Sequence, residues 1–234
     1  MRTATHITYS LLIAAACLAA ACLAAACQND GYETGDGRYS YLRADLVEAH
    51  TAQAGTITTA TTDDGESLTL SSPLSVSWAT KADTTYRAML YYSRADGTST
   101  TVQAHTIAAV AVCRPRQAAT FDSIVTDPVT FQCIWTGADG RYINLALDLK
   151  TGTADTQDAR QTVGIVLDST VTRADGRTVA CLRLYHDQGD VPEYYSSRTY
   201  MSIPTANIPA DSAALTIVTY KGTVTHTVST AGRK

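Results

Sequence analysis

The densest set of side chains able to do chemistry is YHDQGDVPEYY, residues 185–195. Asp187, Gln188, Asp190 and Glu193 offer hard oxygen ligands of the kind Ca²⁺ takes. Tyr194 and Tyr195 offer rings that could stack on a sugar or a partner surface. The spacing is not that of an EF-hand loop, and Gly189 with Pro192 suits a strand-to-strand connection whose carboxylates are simply solvated. No metal is therefore assigned. The segment stands as a candidate binding loop, because loops carried on rigid sheets are where binding residues concentrate.

Catalytic motifs are absent elsewhere. There is no G-x-S-x-G elbow, no H-E-x-x-H and no P-loop. SWATK, residues 77–81, spaces Ser and Lys one residue too far for S-x-x-K. His50, His105, His186 and His226 are scattered singly. Cys113, Cys133 and Cys181 each sit in an apolar run, with no CxxC and no Cys/His cluster for zinc. Their odd number excludes a fully paired framework, and the reading is of buried free thiols. The chain is not expected to be an enzyme, and no cofactor is implied.

The remaining chemistry is at the N-terminus. Residues 1–10 carry one positive charge, Arg2, and residues 11–26 are uncharged and built from Leu, Ile, Ala and Cys. Sixteen such residues are short for a bilayer span, which needs about 20, but they suit a cleaved signal peptide. Cys17, Cys22 and Cys27 each follow three alanines, with Ile13, Leu18 and Leu23 four places before them. All three depart alike from a lipobox, which has Leu three places before. Only Cys27 leads into a polar start, Gln28-Asn29-Asp30-Gly31, so Cys27 is the expected site of acylation. More than one acyl chain holds a protein far more firmly than a single chain does. Removing residues 1–26 takes the net charge from −4 to −5, since Arg2 is the only charge lost. An acidic chain argues against a nucleic-acid partner, whose phosphates require Lys and Arg.

Strands must position these residues. Thr, Val, Ile and Tyr dominate, with 13 Tyr against 2 Phe, which suits half-exposed pleated surfaces. Asp64-Gly65, Asp96-Gly97, Asp139-Gly140 and Asp175-Gly176 each divide apolar or alternating stretches, a strong hairpin signal. YSYLRADLVEAH fits a helix through Leu42 and Leu46 and equally a strand through Leu42, Ala44 and Leu46. The polar, Pro-flanked stretch 114–128 reads as a linker. About five strands before it suggest a small barrel and about seven after it a sandwich. The expected layout is a signal peptide 1–26, a tether 27–37, a barrel domain 38–113, the linker 114–128 and a sandwich 129–230.

A lipoprotein cysteine leading into QNDGY is followed by YSYLRADLVEAHT…TDDGESLTL, DTTYRAMLYY, TDPVTFQCIW…GRYINLALDLKTG and LYHDQGDVPEYYSSRTYMSIP…LTIVTYKG. With these phrases the chain resembles the NigD-like family of envelope lipoproteins of anaerobic Gram-negative bacteria. The resemblance covers most of the mature chain. It implies an all-β protein, a small OB-like β-barrel followed by a β-sandwich, and with it the strand reading of YSYLRADLVEAH. It supplies no catalytic residue. An immunity role has been suggested for the founding member, which belongs to a bacteriocin operon. The expected function is thus a non-catalytic envelope lipoprotein that binds a protein partner. The alternative is a surface module for carbohydrate or another small ligand, supported by the tyrosines alone. An OB-like barrel does not bring nucleic acid back, since RADLVEAH and TDDGESL place acids among the early strands.

The expected location is the outer membrane, lipid-anchored, with Asp30 close behind Cys27 favouring display on the outer face. Asp followed by Ser or Thr and then an apolar residue or Thr marks Thr84, Ser123, Ser169 and Ser212. These resemble the O-glycosylation sequon of exported proteins in such bacteria and are candidate modification sites.

Overall fold

The computed structural model describes residues 42–94, 98–153 and 159–232. The signal peptide 1–26, Cys27 with the tether 27–37, and the Asp96-Gly97 turn lie outside the described residues. Strands β1 (Leu42–Gln53), β2 (Thr56–Thr62), β3 (Ser67–Ser75), β4 (Thr84–Arg94) and β5 (Thr101–Ala109) close into a barrel in the order β1-β2-β3-β5-β4. Neighbours are antiparallel except β3 and β5. This is the OB-like barrel expected from the sequence. YSYLRADLVEAH is ambiguous by spacing for a physical reason. Val47 and Ala49 face the barrel core, while Leu46 packs on the outer side with Met89 and Val110. A strand covered on both faces shows no clean alternation.

The barrel is filled. Val47, Ile57, Leu68, Leu90 and Val102 pack inside it. Tyr92 is wholly buried and donates its hydroxyl to Asp45 Oδ2 at 2.6 Å. Two residues on, buried Arg94 donates to Glu66 Oε1 at 2.7 Å and to the Ser99 carbonyl at 3.0 Å. The SWATK segment has a structural part: Trp78 packs on the barrel core and meets Tyr86 edge-on at 5.8 Å.

The sandwich comprises β6 (Ala111–Val112), β7 (Arg116–Gln117), β8 (Thr130–Thr136), β9 (Tyr142–Thr151), β10 (Thr162–Thr172), β11 (Thr178–Asp187), β12 (Tyr195–Pro204), β13 (Ser212–Thr219) and β14 (Gly222–Ser229). One sheet runs β6-β12-β9-β8 and the other β14-β13-β11-β10-β7. Ile143, Leu145, Leu147, Met201 and Ile203 of the first meet Ile165, Leu182, Leu215 and Ile217 of the second. The described Asp-Gly turns lie where expected, and Gly65, Gly140 and Gly176 take φ of 83°, 73° and 80°, a region that side chains with a Cβ rarely enter.

The stretch 114–128 is not a free connection. β6 already pairs with β12, and β7 pairs with β10 of the opposite sheet, so the chain crosses between sheets at Cys113-Arg114-Pro115. Arg116 then lies over the Phe121 ring at 4.5 Å, and Phe121 stacks on Tyr185 at 5.4 Å. These contacts hold the polar stretch along the edge of the sandwich.

Cys113, Cys133 and Cys181 are free thiols, but they are not all buried. Cys113 and Cys181 are half-buried and Cys133 is exposed. β8 has a register shift between Phe131 and Cys133, which turns Phe131 to the core and Cys133 to the outer face opposite Ala146. Burial pushes the Cys113 thiol up from its ordinary value.

Candidate functional site

β9 and β4 explain how the two sheet-built parts are joined. Along β9, Ile143, Leu145 and Leu147 face the sandwich core, while Tyr142, Asn144 and Ala146 alternate to the outer face. Along β4, Ala88, Leu90 and Tyr92 fill the barrel, while Arg87, Met89 and Tyr91 point out of it. The two outer faces meet through Arg87. Its guanidinium grips both oxygens of Asp63 at 2.6 and 2.7 Å and donates to Ser202 Oγ at 2.9 Å and Asn144 Oδ1 at 3.0 Å. Asn144 returns a hydrogen bond to Asp63 Oδ2 at 2.6 Å, and Ser202 donates to Asn144 Oδ1 at 2.8 Å. The Tyr142 ring lies 4.3 Å from the guanidinium, and its hydroxyl donates to Glu48 at 2.8 Å. Arg141 adds ion pairs to Glu48 and to Asp139. Every polar group of this buried cluster has a partner, the condition under which such a network rigidifies rather than destabilises. Barrel and sandwich are therefore bolted together through the outer faces of β4, β9 and β12.

The candidate loop 185–195 sits on one end of the sandwich. Gln188 anchors it: its backbone N–H donates to Asp127 Oδ2 at 2.8 Å, and its side chain donates to the carbonyls of Val191 and Lys150 at 2.8 and 3.1 Å. Gln161 donates to Gln188 Oε1 at 2.6 Å. Asp187 accepts from the Gly189 N–H at 2.9 Å, as a turn-forming Asp does. The three carboxylates do not converge, and among the described residues no group of His, Cys, Asp or Glu is placed to hold a metal ion.

What the loop does present is aromatic surface. Tyr194 is 77% and Tyr195 58% exposed. Tyr220, on the β13–β14 turn, is 46% exposed and donates its hydroxyl to Glu193 at 3.4 Å. Burial and the Glu193 charge raise the Tyr220 phenol above its ordinary value. The fold thus brings Tyr220 to the loop that carries Tyr194 and Tyr195. Sequence reading missed it, and an aromatic side chain inside the tight turn Tyr220-Lys221-Gly222 was the signal that could have found it. Gly152 leaves room for the Tyr194 ring, since a Cβ there would come within 2.7 Å of Tyr194 Cδ2.

The histidines are not gathered. His186 is buried, and its Nδ1 donates to the Asp127 carbonyl at 2.9 Å. His226 stacks on Phe131 with centroids 4.1 Å apart, and His105 Nε2 lies 2.8 Å from Ser93 Oγ on the barrel. Of the candidate glycosylation residues, Ser123 and Ser169 are exposed. Thr84 and Ser212 are half-buried, and their hydroxyls donate to the carbonyls of Ala82 and Thr178 at 2.8 and 3.5 Å.

No protein-family profile and no curated protein matches the chain. Solved structures do. A NigD-like immunity protein from Bacteroides caccae is 25% identical with a TM-score of 0.60, the match covering 79% of this chain and 90% of that one. A candidate lipoprotein from Bacteroides fragilis gives a TM-score of 0.61 at 12% identity over 82% of this chain and all of that one. A candidate toxin-related protein from Parabacteroides distasonis gives 0.56 at 15% identity over 80% and 91%. The last two share the fold alone. In its barrel-plus-sandwich architecture, and at a quarter of aligned positions, this chain is similar to the NigD-like proteins that its sequence phrases resemble.

Proposed function

We propose that the protein is a non-catalytic lipoprotein of the cell envelope, anchored through acyl chains on Cys27, which binds a protein partner with the tyrosine-bearing end of its sandwich. One observation carries the binding part. Among the described residues the large apolar side chains that stand exposed are Leu42, Val171, Tyr194, Tyr195 and Tyr220, and the three tyrosines share one end. Tyrosine gives large, rigid, amphipathic contact area with few rotatable bonds to freeze, and it is enriched where binding energy concentrates. An apolar cluster on a loop end set by a rigid core is what an interaction surface requires. The similarity to the B. caccae immunity protein supports self-protection against a secreted toxin as the form this binding takes. The same similarity, with that to the B. fragilis candidate lipoprotein, supports the envelope as its place, and Asp30 supports display on the outer face of the outer membrane.

The anchor and the surface separate experimentally. In native cells, Cys27→Ser should move the protein from the membrane to the soluble envelope fraction. Tyr194→Ala/Tyr195→Ala/Tyr220→Ala should leave it in the membrane but abolish partner capture by the purified protein. Unchanged fractionation of Cys27→Ser, or undiminished capture by the triple variant, would refute the corresponding half.

A further inference from the structure

A cavity lies at the junction, apart from the tyrosine end. Beyond Arg87 the facing surfaces turn apolar and open into a cleft of about 380 Å³, within the range of about 300–1,000 Å³ typical of ligand pockets. Met89 and Tyr91 of β4 form one wall, and Trp135 of β8 with Tyr200 of β12 form the other. These aromatic side chains pack around Leu46, Met89 and Val110, which gives them a fixed seat.

The charge of the lining is one-sided. Asp45, Asp63 and Asp64 contribute to it, and no Lys, Arg or His does. Asp63 has both oxygens engaged by Arg87. Asp45 receives one hydrogen bond, from Tyr92, and Asp64 is exposed without a side-chain partner among the described residues. The nearby cations Arg94 and Arg198 are held by Glu66 and Asp148, and Arg198 also meets the Tyr200 hydroxyl at the edge of the wall. Arg43 stands near enough to Glu66 and Tyr92 to act on both, outside the wall.

We propose that this cleft binds a small organic cation, an alkylammonium or alkylguanidinium group. Ring faces of Trp and Tyr attract such a group through their quadrupoles. Asp64 supplies hydrogen-bond acceptors, Asp45 adds its negative charge from the barrel side of β1, and Met89 lines the cleft for the alkyl stem. An anion would meet uncompensated carboxylates. The Arg87 cluster holds the two walls in register, so the site is formed before the ligand arrives. The cation could be a free amine or a lysine side chain carried on a peptide, and the chemistry of recognition is the same for both.

The full-length protein carrying Trp78→Phe leaves Trp135 as the only tryptophan, so its fluorescence reports on the cleft. Titration with n-butylammonium and with a blocked Ala-Lys-Ala peptide should give a saturable change that weakens as salt is added. Either probe satisfies the proposal, and the ratio of their affinities says which source fits better. Asp64→Asn and Tyr200→Leu, made separately, should each weaken binding about tenfold while the melting temperature is retained. Saturable binding of N-acetylglucosamine or butyrate in place of the cations would overturn the assignment. So would no saturable change with either cation, or affinity unchanged from wild type in both variants. None of these outcomes bears on the tyrosine end, which the titration does not probe.

Discussion

Arg87 of the barrel donates from Nε to Ser202 Oγ of the sandwich at 2.9 Å, while its other nitrogens hold Asp63. Its side chain is 1% exposed, so this one guanidinium fastens two sheet systems that share no strand. Arg87→Leu would leave Asp63 charged and Asn144 short of a donor inside the junction. The expected loss is about 3–5 kcal/mol, the usual cost of breaking a buried pair on one side. Adding Asp63→Asn should restore part of it by removing the stranded charge. Urea unfolding followed by tryptophan fluorescence measures both, and a single-variant loss under about 1 kcal/mol would contradict the bolted junction.

Acid sensitivity should come in part from the barrel end. The hydrogen bond from Arg94 holds the Glu66 carboxyl below its ordinary value of 4.5, with the charges of Arg94 and Arg43 adding to it against the cost of burial. The folded chain therefore binds fewer protons than the unfolded chain just below pH 4.5. This stabilisation is present in full above that value and is lost as pH falls through the folded value. Glu66→Gln should weaken the protein by about 0.5–1 kcal/mol at neutral pH, since solvent screens this partly exposed pair, and make its acid limb shallower. Asp148 and Asp211, lowered by bonds from Arg198 and Thr178, keep the limb from vanishing. An acid limb of unchanged slope in urea midpoints across pH would speak against the Arg94–Glu66 assignment.

Two Asp-Gly turns with the same sequence signal should respond differently to alanine. At Gly176 a Cβ meets nothing within 4 Å, so Gly176→Ala should cost only the left-handed strain of about 1–2 kcal/mol. At Gly140 a Cβ would come within 2.4 Å of the Gly232 backbone nitrogen, so Gly140→Ala carries that strain and a backbone clash. Thermal unfolding of the two variants should place Gly140→Ala clearly lower, and equal losses would contradict the packing of residue 232 on the β8–β9 turn.

The alkaline side has its own marker. Burial raises the Tyr92 phenol above 10.0, and its hydrogen bond to Asp45 adds to this. A raised value means stability present below 10.0 that is lost as pH rises through the folded value. Tyr92→Phe should lower stability near neutral pH by about 1–2 kcal/mol, by leaving Asp45 without its donor, and should lessen the alkaline loss. A variant as stable as wild type would remove Asp45–Tyr92 from the barrel's supports.

Short-range signals carried far in this chain. Hairpins at Asp64-Gly65, Asp139-Gly140 and Asp175-Gly176 were legible because positive φ is a demand two residues can meet alone. The barrel and sandwich followed from strand counts and the family resemblance. Residues 114–128 read as a linker because a two-residue strand such as Arg116–Gln117 leaves no periodic trace. Arg87 was passed over for a related reason. In DTTYRAMLYY it looks like a solvated charge, and only the apolar character of both faces of that strand hints that it is covered. In the candidate loop, residue type picked out Tyr194 and Tyr195, but Tyr220 is joined to them by folding alone. The loop reads from sequence as a strand-to-strand connection with solvated carboxylates, and only the structure shows that Gln188 fixes its shape.

The central claim is that the tyrosine end of the sandwich meets a protein in the envelope. The most direct measurement is photo-crosslinking in living cells, with p-benzoylphenylalanine placed at residue 195 and, separately, at residue 171, an exposed position on β10 away from that end. A discrete protein adduct is expected from position 195 and none from position 171. No adduct at 195, or the same adduct from both positions, would contradict it.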